Sequence, residues 1–230
     1  LYKRILDEFP RFRKTDMVLY LYVFALRQDG KLELGLTYFQ RIIKEYPQSR
    51  FQPDAWMAVA EARFYSDGNY VTAQAAYEEV LKYPQSPLYD LALFKTAWCM
   101  WKRGNPEGAA RRFKEVLDLG TNQSKVETGR LDRSTAEGQK RLQELRSEAL
   151  DYLVQIFAED ERKGAKETYD FLASIGGAPY SRKVLARLGE TFFRQARFDR
   201  AIEAERFLID LDPSDPSCVD RQARVAESYQ

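Results

Sequence analysis

Histidine is absent from all 230 residues, and that absence removes a large class of functions at once. Without imidazole there is no Ser-His triad, no histidine general base and no usual zinc ligand set. Carboxylate and lysine chemistry stay open, but an enzyme is not expected, and neither is a cofactor. Cysteine is scarce as well: Cys99 and Cys218 are the only two. Cys99 sits in the apolar run Ala97-Trp98-Cys99-Met100-Trp101 and reads as a small buried hydrophobe, with nothing to pair it with Cys218. No apolar run reaches the roughly 18–20 residues that a membrane-spanning helix needs. Charge of one sign is missing too, because 36 Lys and Arg face 35 Asp and Glu. A near-zero net charge argues against a dedicated nucleic-acid binder.

What the chain does have is repetition. The tetrapeptide Tyr46-Pro47-Gln48-Ser49 returns as Tyr83-Pro84-Gln85-Ser86, thirty-seven residues later. Each copy closes an amphipathic segment, "LELGLTYFQRIIKEYPQS" and "NYVTAQAAYEEVLKYPQS", and a shorter relative, "LYKRILDEFP", opens the chain. Apolar residues recur there at steps of three and four, and proline then prevents the helix from continuing. Further amphipathic stretches lie between these stops and finish on Gly30, Gly68 and Gly104, which suits a left-handed residue at a helix end.

A small residue follows each glycine at a fixed distance (Gly35, Ala73, Ala109), and an aromatic follows four further on (Phe39, Tyr77, Phe113). The pattern returns near the end with Ala196 in the turn and Ala201 in the small position. The aromatic position is there taken by Glu205, with Phe207 nearby, and Pro213 is the stop.

Small residue, aromatic, small residue and proline over roughly 34–37 residues resembles the tetratricopeptide repeat. Trp56 near the start of one helix and "LGETFF" from Leu188 to Phe193 strengthen the likeness. The resemblance implies an all-α fold, a right-handed superhelical solenoid of helix A–turn–helix B units. The units read as a partial repeat at 1–10, full repeats at 15–49, 50–86 and 87–120, and a polar insertion at 121–140. A degenerate repeat at 141–178, a good repeat at 180–213 and the start of another at 214–230 complete the array. The ends, without an initial methionine and with a helix in progress, read as edges of a longer protein. The insertion is expected to be a solvated loop leading into a lengthened helix A, with a partner-contacting excursion as the alternative.

The family's concave face is lined mainly by helix A and commonly holds a peptide, so other proteins or peptides are the partners the resemblance implies. The helix A positions that fall there are Tyr20, Phe24 and Arg27, then Met57, Glu61 and Tyr65, then Phe94, Trp98, Trp101, Lys102 and Arg103. In the last good repeat they are Lys183, Glu190, Phe193 and Arg194. Aromatics on such helices mostly pack between helices; Trp98 and Trp101, flanking core positions, are the favoured exceptions. Together with Arg27, Lys102, Arg103 and Arg194 they suggest a clamp for an acidic or carboxylate-ended peptide. The wording around "YPQS" is similar to repeat proteins of the bacterial envelope, the BamD and CpoB families. The stretch "GAKETYDFLASIGGAPYSRKVLARLGETFFRQARFDRAI" resembles long repeat proteins of gliding and predatory Gram-negative bacteria. That resemblance implies a periplasmic or outer-membrane-associated adaptor in envelope assembly, secretion or motility. A lipid anchor outside this segment and a cytoplasmic setting both stay open. The rival expectation is a substrate-recruiting arm of an enzyme whose catalytic part lies elsewhere.

Overall fold

The turns between helices form where the sequence supplies residues that tolerate positive φ. Gly30, Gly68 and Gly104 have φ of 72°, 59° and 76°, and the position equivalent to them later in the chain is occupied by Ala196 at 56°. A glycine takes that conformation without steric penalty, whereas the alanine pays for its Cβ. The computed structural model describes residues 1–9, 11–121 and 135–229. It consists there of helices: α1 (Tyr2–Glu8), α2 (Thr15–Gln28), α3 (Leu32–Glu45), α4 (Gln52–Tyr65), α5 (Tyr70–Val80), α6 (Tyr89–Lys102) and α7 (Pro106–Asp118). From Ala136 onward come α8 (Ala136–Glu159), α9 (Ala165–Ser174), α10 (Ala178–Arg194), α11 (Phe198–Leu211) and α12 (Cys218–Glu227).

The chain divides into two units, Leu1–Gln143 and Glu144–Gln230. In the first, α2/α3, α4/α5 and α6/α7 are antiparallel hairpins, and each packs on the next through α3 with α4 and α5 with α6. In the second, α10/α11 is the corresponding hairpin, flanked by α9 and α12; α8 and α9 meet through Phe157 and Phe171, whose rings lie 5.9 Å apart. Consecutive helical hairpins of this kind form the all-α solenoid that the repeats imply. Helix α8 starts at Ala136, inside the stretch read as an insertion, and runs for 24 residues. Residues 122–134 of that polar stretch lie outside the described residues.

The small and aromatic positions explain why the hairpins close. Gly35, Ala73 and Ala109 are buried where helix meets helix, and a Cβ on Gly35 would stand 3.3 Å from Val23 Cγ1. The aromatics four residues on, Phe39, Tyr77 and Phe113, are all buried. A side chain of that size contributes roughly 1.5–3 kcal/mol on burial. Burial also pushes the Tyr77 phenol far above its ordinary pKa, helped by its hydrogen bond to Glu61 Oε1 at 2.6 Å.

The "YPQS" stops begin helices as well as end them. The Ser49 hydroxyl accepts from the Phe51 amide at 3.2 Å, and Ser86 does the same for Leu88 at 3.2 Å. Ser49 also donates to Asp16 Oδ2 at 2.6 Å, tying the turn to the start of α2. Buried Gln52 donates to the carbonyls of Ile42 (2.9 Å) and Tyr46 (2.8 Å), a second donor for groups that already accept from the Tyr46 and Ser49 amides.

Glu205 sits where the earlier repeats have their aromatic, and it too is buried, at 2% exposure. Its carboxylate receives Arg221 at 2.8 Å and Arg224 at 2.7 Å, both from α12. A buried charge is tolerated only with such partners. An ion triad therefore joins α11 to α12 where the other repeats use an aromatic ring.

Candidate interaction surface

Helices α2 and α4 run parallel, with α3 antiparallel between them, and this places matching stripes of the two A helices side by side. On α2 the stripe is Tyr20, Val23, Phe24 and Arg27; on α4 it is Asp54, Met57, Ala58 and Glu61. Both have the three- and four-residue spacing of one helix face. Gly35, Leu36 and Phe39 of α3 form the floor, and the cleft encloses about 440 Å³. Tyr20 closes one end by stacking on Phe51 at 4.1 Å and donating to Asp54 Oδ1 at 3.2 Å. Burial raises the pKa of the Asp54 carboxyl, although the Tyr20 hydrogen bond opposes the shift. Burial raises Tyr20 as well, with the Asp54 charge adding to it. Phe24 packs edge-on against Tyr20 at 4.9 Å yet remains 45% exposed. Arg27, Glu33 and Glu61 gather at the other end.

A second patch of the same unit lies on α4 and α6. Phe64 meets Tyr65 at 4.8 Å and Trp98 at 6.0 Å, and Trp98 meets Trp101 at 5.8 Å. Lys95 lies 4.9 Å from the Phe64 ring centre and 4.7 Å from that of Tyr65, and it donates to the Tyr65 hydroxyl. Lys102 lies 4.8 Å and 5.5 Å from the rings of Trp98 and Trp101. Each ammonium thus sits over aromatic faces. Both Trp side chains are half-buried, while Tyr65 is 64% exposed.

In the second unit a cleft of about 620 Å³ lies between α8 and α10. Arg187, Glu190, Thr191 and Arg194 line it from α10, and Asp151, Gln155 and Glu159 line it from α8. Arg187 is paired with Asp151 across it.

Within the first unit the residues that the sequence suggests for a cationic clamp fall into separate groups. Tyr20, Phe24 and Arg27 share the first cleft, and Tyr65, Trp98, Trp101 and Lys102 share the aromatic patch. Phe94 belongs to neither: it is 5% exposed and packs against Phe113 at 5.5 Å, so it is a core residue of the α6/α7 hairpin. Arg103 turns toward α5 and donates to Gln74 at 2.6 Å. Arg194 lines the cleft of the second unit, whereas Phe193 turns to Phe198 at 5.7 Å. Lys183 is exposed on α10, outside that cleft. Asp54, Glu33, Phe64 and Lys95 were not singled out by the sequence.

One signal could have found Asp54. Contacts between successive repeats recur at about one repeat length, as in Tyr20 with Asp54 (34 residues), Asp16 with Ser49 (33) and Arg182 with Asp215 (33). Among the described residues no cluster of Cys, Asp and Glu has the arrangement of a metal site, and no helix is long and apolar enough to cross a membrane.

Tetratricopeptide-repeat family models match residues 17–49 and 63–124. A search of curated proteins returns no match. Among solved structures the chain is similar to a tetratricopeptide repeat protein from Parabacteroides merdae, at 15% identity and a TM-score of 0.44, covering 100% of this chain and 90% of that one. The matched repeats and the hairpins that carry them make this chain a tetratricopeptide-repeat protein, a scaffold of the kind that serves protein–protein contacts.

Proposed function

We propose that the chain is a non-enzymatic adaptor that holds segments of partner proteins on the exposed face of its A helices. The observation that carries this reading is the α2/α4 cleft, where two A helices present apolar and charged side chains to one space and leave Phe24 substantially in water. An aromatic half in solvent at the edge of a concave apolar cleft is a common anchor for a bound segment. The aromatic patch around Trp98 and Trp101 offers a second anchor in the same unit. The setting we propose is a complex of the bacterial cell envelope, and the support for it is the likeness of the "YPQS" repeats to envelope repeat families. Affinity capture with wild-type, Phe24→Ala and Trp98→Ala baits tests the surface. Partners retained by wild type and lost by either variant, with helical content unchanged, support it; identical captures from all three overturn it. Fractionation of cells that produce the natural protein tests the setting, and recovery only with the cytosol overturns it.

A further inference from the structure

The charges around the α2/α4 cleft are not balanced. Its lining includes three carboxylates, Glu33, Asp54 and Glu61, against one guanidinium, Arg27. Asp54 lies beside Tyr20 at one end, and Glu61 stands two turns further along α4 on the same face. Seven residues of helix separate them by about 10.5 Å along the axis. An extended peptide spans that distance in roughly three residues. Between the two carboxylates lie Phe24, Ala58 and the Leu36 floor, an apolar stretch backed by Met57, which is buried at 7% exposure.

Resting on the reading of this cleft as a binding surface, we propose that its preferred occupant is an extended segment with an apolar side chain flanked by Lys or Arg, rather than an acidic or carboxylate-ended one. The apolar side chain packs against Phe24 and Ala58, one cation meets Asp54, and the other meets Glu61 and Glu33. Asp54 and Glu61 each already accept one phenolic hydrogen bond, from Tyr20 at 3.2 Å and from Tyr77 at 2.6 Å. A carboxylate has about four acceptor sites, so both retain capacity for a cation. The tyrosines also fix the carboxylates in place, which lowers the ordering cost of binding. Arg27 disfavours a cation at its own end, where Glu33 and Glu61 offset it. At the other end Arg50 lies over the Phe51 ring at 4.8 Å, outside the lining that Asp54 faces, and leaves the carboxylates of the cleft in excess, three against these two guanidiniums.

The test is selection of a displayed random heptapeptide library on the immobilised chain, in parallel with D54N/E61Q, Arg27→Glu and Phe24→Ala. The isosteric amides keep an acceptor for both tyrosines, and circular dichroism checks each fold. Wild type is expected to enrich Lys and Arg beside apolar residues. A synthetic peptide from that pool is expected to bind D54N/E61Q about 10-fold more weakly, at a few-fold per exposed ion pair, and to bind Arg27→Glu more tightly. If acidic peptides are enriched instead and are lost with Phe24→Ala, the charge preference is wrong and the cleft reading survives. If nothing is enriched, or enrichment ignores Phe24→Ala, both fail.

Discussion

Replacing Glu205 with alanine strands two arginines, and the cost can be worked from their surroundings. Glu205 is 2% exposed, and its partners Arg221 and Arg224 have side-chain exposures of 11% and 28%. Breaking a buried ion pair by removing one partner costs about 3–5 kcal/mol. Arg224 can swing toward solvent, so the lower end applies, about 3 kcal/mol. For a cooperative unit of the size of the second one, that lowers the melting temperature by about 12–24 °C. Glu205→Gln keeps the shape and one acceptor and should lose roughly half as much.

The sharper comparison restores the aromatic of the earlier repeats. Glu205→Phe alone should be strongly destabilising, while Glu205→Phe with Arg221→Met and Arg224→Leu should return to within about 1 kcal/mol of wild type, because apolar replacement of a whole buried triad is often neutral or better. Thermal melts combined with amide hydrogen exchange resolved on α11 and α12 would read both effects, since loss of the triad should first deprotect α12. Glu205→Phe alone matching wild type in melting temperature and α12 protection would show that Arg221 and Arg224 do not depend on the buried carboxylate.

Three further outcomes follow from particular residues. Ala196→Gly should raise stability by about 0.5–1 kcal/mol in urea unfolding, because it relieves a positive-φ alanine in a turn where the other repeats use glycine; a loss of stability would show that the turn is not strained. Cys99 is buried and its pKa is pushed up to about 12, so a thiol reagent at mildly alkaline pH should label Cys218 alone in the native chain and both in concentrated guanidinium chloride. Labelling of both at equal rates without denaturant would contradict the packing around α6. Asp54 binds its proton more tightly folded than unfolded, so its contribution is fully present below the unfolded carboxylate pKa and is lost as pH rises through the folded value. The urea midpoint of Asp54→Asn relative to wild type should therefore grow more favourable between acid and neutral pH, and a flat or falling difference would rule out the burial argument.

The hairpins were legible because core positions impose a period. Gly35 and Phe39, Ala73 and Tyr77, and Ala109 and Phe113 can occupy their sites only if one helix closes on the next, so a one-dimensional pattern records a three-dimensional contact. The left-handed glycines were legible for a similar reason: few other residues fit. Glu205 looked like a loose copy because a charge replaced an aromatic, and its meaning lay in Arg221 and Arg224, sixteen and nineteen residues away on the following helix. The cleft was legible only in part. Tyr20, Phe24 and Arg27 were chosen as exposed helix A positions and do come together, whereas Phe94 was chosen by the same rule and is buried. Exposed and buried aromatics look alike in sequence, and the difference depends on the angle at which one hairpin meets its neighbour. Asp54 passed unnoticed because a carboxylate on a helix surface carries no periodic signal; only its distance of one repeat from Tyr20 marks it as a neighbour.

Partners held on the A-helix face, as proposed, would be captured there by site-specific photocrosslinking. A benzophenone amino acid placed at Phe24 or Tyr65 on the A helices, and at Gln40 or Glu115 on the B helices, puts the probe at exposed positions of both faces. Discrete crosslinked polypeptides are expected from Phe24 and Tyr65 in cells that produce the natural protein, and none from Gln40 or Glu115. Crosslinks confined to the B-helix positions would contradict that proposal.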